Sequence, residues 1–363
     1  MEEQESKADT RSGKTWAFIN TWVGRTTAII GLIASLAGGV TWWAAHYRRH
    51  AELQSQLDLG RTQVAHGDYP GAFQTYSAIL KADPLDRSAL DGQLNAAMLW
   101  DENFSVSVPE GQSAEDLAAP SLDQILTTLE AGLVRTRGER AADVQAHLGW
   151  AHWLNQHIAA REFGSAAEQN FRAALASDPK NVYANAMLGN WMLQNGGDIA
   201  EASSHLDTAV STGKARPFVR ELQIGGYLSD DVRGARAGLI KAANDMRRNG
   251  EPLDSDSRRR ILDFCCGVVI PSHAELVESL SAVPPADSWQ TYIWLDEARA
   301  GDADTETPAL ERSFIQANLL EISGQAQQSL AQYRSLQGQL AQRPGSLKDA
   351  VDASVARLSH RAG

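Results

Sequence analysis

The feature that most constrains the fold is a helix-hairpin pattern over residues 53–84. A first apolar stretch with a central glycine leads to a Gly-Asp-Tyr turn at 67–69, and a second stretch follows and ends at Asp-Pro, because proline cannot continue a helix interior. A small residue on one helix allows close approach, and an aromatic residue on the other fills the groove. The positions that carry this pattern are Gly60, Ala72, Tyr76 and Pro84. One face of the hairpin stays uncovered, so it needs a neighbour.

The same pattern recurs further along the chain. It is clear at 140–179 and 182–214, and a degenerate copy covers 310–342. The recurring small, aromatic and terminating positions are Gly149, Ala167, Phe171, Pro179, Gly189 and Ala202. Several residues recur together at fixed spacing, which is stronger evidence than one short motif.

These units resemble the tetratricopeptide repeat, whose unit is two antiparallel helices totalling about 34 residues. The resemblance implies an all-α fold, in which residues 51–342 form a right-handed superhelical stack of antiparallel helix pairs, a TPR-like α-solenoid. It also implies that the first helices of the units line a concave surface where partners bind.

Other segments fit the pattern less well. Residues 101–120 are acidic and polar and contain prolines, which predicts an inserted loop. Two stretches, 217–246 and 259–283, are helix pairs that lack most of the signature. Residues 345–363 predict a C-terminal capping helix, and 284–309 give no clear assignment.

An apolar run at 26–46 follows a polar tail at 1–25 and contains no acidic or basic residue apart from His46. Its length matches the roughly 20 residues that a helix needs to cross a bilayer, and Trp22, Trp42 and Trp43 flank it. We predict a single-pass membrane protein, with the side of the repeats undetermined. A cleaved signal peptide and a buried helix are the alternatives.

Within this run, Gly31, Ser35 and Gly39 are spaced four residues apart and form a stripe of small residues on one helix face. Such a stripe lets two spans touch and predicts a homodimer contact. Small residues are also common in membrane spans, which is the alternative interpretation.

The charge distribution limits the class of partner. Residues 1–25 hold four acidic and four basic residues, so the whole net charge of -12 belongs to 26–363. An acidic body argues against nucleic-acid binding, since the surface has to attract phosphates. A basic peptide or protein fits this charge better.

The sequence offers few groups for chemistry. The phosphate-loop and dinucleotide-binding glycine patterns are absent. His147, His152 and His157 are five residues apart, whereas helical metal pairs need three or four. Cys265 and Cys266 are adjacent, a spacing that strains a disulfide, and they are typical of a core. We predict no catalytic residue, cofactor or metal. Three consecutive arginines at 258–260 predict a solvated helix start.

The preferred hypothesis is a membrane-anchored, non-catalytic scaffold that binds a protein or peptide on its concave surface. Polar residues between core positions of the first helices are the predicted contacts: Gln63, His152, Asn190 and Gln194. Two alternatives remain. One is a regulatory or chaperone-like part of an envelope assembly system, with the repeats outside the cytoplasm. The other is an enzyme whose site combines scattered helix residues.

Overall fold

The computed structural model describes residues 43, 46–161, 163–211, 216–228, 235–266, 272–299 and 306–361. Every regular element in these ranges is helical, which confirms the predicted all-α class. The chain divides into two compact units, Met1–Trp100 (unit 1) and Asp101–Gly363 (unit 2).

Unit 1 contains the first helix hairpin. Its helices are α1 at 46–65, α2 at Tyr69–Ala82 and most of α3 at Arg87–Glu102. Gly67 makes the turn after α1 with a φ of 78°, a backbone conformation that favours glycine. The Asp68 carboxylate then accepts the backbone N–H of Gly71 at 3.0 Å and caps the start of α2.

The aromatic ring of Tyr76 lies between two glycines of unit 1. A Cβ atom added at Gly60 on α1 would be 2.6 Å from the Tyr76 Cζ atom, and one added at Gly92 on α3 would be 2.5 Å from Cε1. No larger residue fits at either position unless the ring moves. The glycine opposite the aromatic thus occurs on both helices that flank α2, although the sequence pattern singles out Gly60 alone.

Unit 2 is a succession of helices in which neighbours along the chain pack against each other. The helices are α4 Ala114–Arg135, α5 Gly138–Ile158, α6 Ala166–Ser177, α7 Val182–Gln194, α8 Ile199–Val210, α9 Pro217–Tyr227, α10 Ala235–Asn249, α11 Ser255–Cys266, α12 His273–Ser281, α13 Pro285–Asp296, α14 Glu306–Ile322, α15 Ala326–Gln339 and α16 Ser346–Arg361. A 3₁₀ turn, Glu297–Arg299, follows α13. The adjacent packing supports a fold like that of helical repeat proteins.

Glycines set the close approach in two of these pairs. A Cβ atom at Gly149 on α5 would be 2.6 Å from Cε1 of Phe171 on α6. At Gly189 on α7 it would be 2.8 Å from Cγ of Leu206 and 2.9 Å from the backbone oxygen of Ala202, both on α8. Real Cβ contacts are longer than these distances, so only glycine allows the observed approach.

The other predicted repeat positions lie in or beside this packing. Ala72, Ala167 and Ala202 are buried, while Pro84 and Pro179 directly follow the residues that cap α2 and α6, Asp83 and Asp178.

The predicted loop at 101–120 needs correction, because it is helical at both ends. Helix α3 continues to Glu102, and α4 already begins at Ala114. The Ser113 hydroxyl accepts the N–H of Glu115 at 3.1 Å and stabilises the start of α4. Pro120 lies inside α4, so in this sequence the proline does not mark the end of the loop.

The predicted single-pass membrane localisation is wrong on the present finding. Among the described residues, no helix combines the length and the apolar character needed to cross a bilayer. The run at 26–46 lies outside the described residues except for Trp43 and His46, and so do Gly31, Ser35 and Gly39.

Candidate functional site

Asn190, one of the predicted contact residues, is part of the helix packing. It is 2% exposed, its Nδ2 donates to the backbone oxygen of Leu222 on α9 at 2.7 Å, and its Oδ1 accepts from Nε2 of Gln194 at 3.0 Å. Its assignment as a docking residue is therefore corrected: it holds α7 against α9. Spacing alone identified a polar residue between core positions but not the carbonyl that faces it. Gln194 is exposed at the end of α7.

Gln63 and His152 also contact other parts of their own units. In unit 1, Oε1 of Gln63 accepts from the Thr75 hydroxyl at 2.8 Å and links α1 to α2. In unit 2, the His152 ring lies 4.7 Å from that of Phe163. Burial lowers the pKa of His152, against an opposing effect of the Glu130 carboxylate. His152 therefore presents a neutral, partly buried ring, and it is not a hydrogen-bond partner of Asn190 or Gln194.

A row of polar side chains in unit 2 runs from Glu102 through α5 and α7 to Arg216, directly before α9. The buried His147 on α5 lies with Nε2 3.0 Å from Oε1 of Glu102, and its ring is 4.5 Å from that of Tyr183 on α7. The Arg216 guanidinium lies 4.5 Å from the centre of the Tyr183 ring. Burial, with a further contribution from Glu102, raises the pKa of Tyr183 to about 12, so the phenol is neutral.

Possible metal ligands and thiol nucleophiles were compared among the described residues. The described residues contain no group of three His, Cys, Asp or Glu side chains that could hold a metal ion. Cys265 and Cys266 are free and buried, and burial raises the pKa of Cys266 to about 12. A protonated thiol is a poor nucleophile and a poor metal ligand.

Two buried carboxylates, Asp296 and Glu311, are held in ion pairs. Arg299 Nη1 donates to Oε2 of Glu311 at 2.6 Å, and Arg312 Nε donates to Oδ2 of Asp296. These bonds tie α13 and the following turn to α14. Sequence analysis missed the pair, because 15 residues and no shared periodicity separate the two acids.

A pocket of about 380 Å³ lies between α9 and the segment that leads into α11. In the predicted repeat scheme α9 and α11 are the first helices of two successive helix pairs. Much of its wall is apolar, from side chains of α9, the end of α10 and the connecting segment: Ile224, Leu228, Met246 and Leu253. A Cβ atom added at Gly225 would have no atom within 4 Å, so the pocket is open at this point of its wall.

An ion pair between Arg220 and Glu251 forms part of the polar wall of the pocket. Arg220 is 7% exposed, and its Nε and Nη2 each donate to one carboxylate oxygen of Glu251 at 2.7 Å, while its Nη1 donates to Gln223 Oε1 at 2.8 Å. These bonds to Arg220 are the main reason why the pKa of Glu251 is lowered. Such a bidentate pair fixes the position of the guanidinium.

The sequence carries a signal for this pocket that lies outside the repeat pattern. Arg216, Arg220, Ile224 and Leu228 follow each other at four-residue spacing, which places them on one face of α9. The arginine cluster at 258–260 was interpreted as a solvated helix start. Arg259 and Arg260 are exposed near the start of α11, whereas Arg258 lies over the Trp294 ring at 4.2 Å, and Arg260 also lines the pocket.

Comparison of the chain with protein-family models, with curated proteins and with solved structures finds no match in any of the three. The candidate site is therefore argued from its own geometry.

Proposed function

We propose that this chain is a TPR-like repeat protein that binds a protein or peptide segment and does not catalyse a reaction. The proposal includes the repeat domain at 51–342, its right-handed superhelical stacking and the cap at 345–363. The glycine contacts of α5 with α6 and of α7 with α8 support it, because they occur at equivalent places in successive helix pairs.

The observation that carries the binding proposal is the pocket between α9 and α11. Pockets of this size, with apolar walls and a few fixed polar groups, are typical binding sites. Its position between two successive first helices is where an extended segment would lie in a stack of helix pairs.

The polar groups of the pocket favour binding over catalysis. Arg220 and Glu251 are fixed against each other. The Asp254 carboxylate accepts the Ser257 hydroxyl at 2.6 Å and the Ser257 backbone N–H at 2.8 Å, so it caps the start of α11. A serine that donates to a helix-capping carboxylate is not paired with a histidine or lysine base, as nucleophilic catalysis requires.

The test fills the pocket without disturbing the packing. In Gly225→Phe the new ring can enter the open pocket, whereas Gly338→Phe on α15 places the same ring at another helical glycine with nothing within 4 Å. Full-length protein is applied to an array of random peptides. We expect the wild type and Gly338→Phe to bind the same subset of peptides, and Gly225→Phe to lose it. No bound peptides with the wild type, or an unchanged subset with Gly225→Phe, contradicts the proposal.

A further inference from the structure

The buried ring of His147 has a hydrogen-bond acceptor at each of its two nitrogens. Its Nδ1 lies 2.7 Å from the backbone oxygen of Asp143, one turn earlier on α5, and its Nε2 lies 3.0 Å from Oε1 of Glu102 at the end of α3. The His147 side chain is fully buried and that of Glu102 is 10% exposed. Water therefore offers little replacement for either contact.

A neutral ring cannot donate a hydrogen bond to both of these acceptors. A neutral imidazole carries a proton on one nitrogen and a lone pair on the other, whereas an imidazolium donates from both. The backbone oxygen of Asp143 only accepts, so a neutral ring that donates to it turns its other lone pair towards the Glu102 carboxylate. Both contacts are hydrogen bonds only when His147 and Glu102 together hold one additional proton.

The preceding residue of α3, Asp101, depends on a proton in the same way. It is fully buried, and neither of its carboxylate oxygens has a hydrogen-bond partner. Burial, with a minor contribution from Glu102, raises its pKa well above the usual value. A rise in pH therefore places a second uncompensated negative charge at the same end of α3, where burial makes it costly.

Two groups that face this contact from the far side keep their charge as the pH changes. The Tyr183 ring on α7 is 4.5 Å from that of His147, and burial is the main reason why its pKa is raised to about 12. The Arg216 guanidinium, 4.5 Å from the centre of the Tyr183 ring, stays charged. Neither group replaces the proton that His147 and Glu102 lose.

The remaining polar groups around this part of α5 face other partners. The Asp143 carboxylate accepts from Nδ2 of Asn181, directly before α7, at 2.8 Å. On α4, Glu130 acts on His152, and α6 meets α5 through Phe171.

We propose that the end of α3 is a pH-sensitive contact, bound to α5 through the protonated pair of His147 and Glu102 and released as the pH rises. Imidazole rings change charge between about pH 5 and pH 8, so the release falls in this range. It is lost in the direction of increasing pH, because the bound form holds the extra proton. The device is independent of the proposed peptide binding.

Hydrogen exchange of the full-length protein, followed by mass spectrometry at about pH 5.5 and about pH 8, tests this proposal. The exchange rate of each segment is divided by the intrinsic rate at the same pH, which leaves the protection that the fold provides. We expect protection of the last turn of α3, 99–102, to fall at least about tenfold, because an opening linked to one proton changes tenfold per pH unit. Helix α15 is the internal control and should keep its protection.

Glu102→Gln separates the contact from other effects of pH. The amide accepts from an imidazolium and donates to a neutral ring, so the contact persists in both states. The fall in protection should be smaller in Glu102→Gln, and less than about threefold in Glu102→Gln combined with Asp101→Asn. The exposed Glu110 supplies the matched control, since Glu110→Gln should respond to pH as the wild type does.

His147→Gln gives a second route, because its side chain does not titrate; its α3 end should respond to pH no more than that of Glu102→Gln. Equal protection of the wild type at both pH values overturns the proposal. So does an equal fall in α15, which would show a global effect, or an undiminished fall in Glu102→Gln and His147→Gln.

Discussion

Two regions of unit 2, 138–210 and 216–322, hold their helices together in different ways. In the first region a glycine on the first helix of a pair meets a large side chain on the second, as Gly189 meets Leu206. In the second region the order is reversed, since Gly238 lies on α10 and Tyr227 on α9; a Cβ atom at Gly238 would be 2.5 Å from Cζ of that ring.

The second region depends more on ion pairs between its elements. Arg220 binds Glu251 beyond the end of α10, and Arg299 binds Glu311 on α14. A glycine contact brings two backbones together and leaves no gap. An arginine side chain instead spans a distance between elements, and the space beside it stays open. The pocket between α9 and α11 lies beside the Arg220–Glu251 pair in the second region.

The largest effect should come from a change in the glycine-packed region. Gly189→Leu places a side chain 2.9 Å from a backbone oxygen that cannot rotate away, so the helices must separate. We expect the free energy of unfolding to fall by about 3 kcal/mol, at the upper end for overpacking. Denaturant unfolding followed by circular dichroism measures this.

Gly338→Leu is the matched control for that change, because this helical glycine has no atom within 4 Å of an added Cβ. It should leave stability unchanged or raise it slightly. Equal unfolding of Gly189→Leu and the wild type would mean that α7 and α8 are not in close contact there.

A smaller effect is expected in the ion-paired region. Glu251→Gln leaves Arg220 with a neutral partner and should lower the free energy of unfolding by about 2 kcal/mol, as for a hydrogen bond to a charged group. The pKa of Glu251 is lowered in the folded state. Its contribution to stability is therefore present above the unfolded pKa of about 4.3 and is lost as the pH falls through the folded pKa.

The wild type should consequently lose more stability than Glu251→Gln when both are acidified from neutral pH. Urea titrations across an acidic pH series measure the difference. Parallel pH profiles for the two proteins would show that the pair contributes nothing, and the contrast between the regions would then weaken.

The smallest effect is expected from a change at Asp101. Among the described carboxylates of unit 2, it alone is fully buried with neither oxygen hydrogen-bonded. Burial, with a minor contribution from Glu102, raises its pKa well above the usual value. The folded state therefore binds the proton more tightly, and Asp101 lowers stability as the pH rises above its unfolded pKa of about 3.9. Asp101→Asn should raise the free energy of unfolding at neutral pH by about 1 kcal/mol.

Thermal unfolding at several pH values measures this gain, which should shrink towards acidic pH. A loss of stability in Asp101→Asn at neutral pH would mean that the ionised carboxylate has a favourable partner, as Asp296 has in Arg312.

The sequence by itself determined the helical class and the local contacts of the regular units. The spacing of Gly149 and Phe171 is enough to predict their meeting, because the positions of a helix hairpin that face each other follow from helix periodicity and a short turn. The predicted loop at 101–120 was too long, since acidic residues also occur in the first turn of helices, as Glu115 and Asp116 do in α4, and Pro120 lies further inside the same helix.

Only the tertiary structure decided what the polar residues do. Asn190 and Gln194 are four residues apart on α7 and so lie on the same helix face. Asn190 is buried against Leu222 on α9, while Gln194 is exposed, because the neighbouring helix covers only Asn190. Likewise Arg220 and Glu251 are 31 residues apart, and no local pattern joins them. Periodicity reports which face of a helix a residue occupies, while the identity of the facing atoms depends on how separate helices pack. The pocket between α9 and α11 is formed by such contacts between distant segments, so the spacing of residues predicts its α9 face but not the residues that lie opposite.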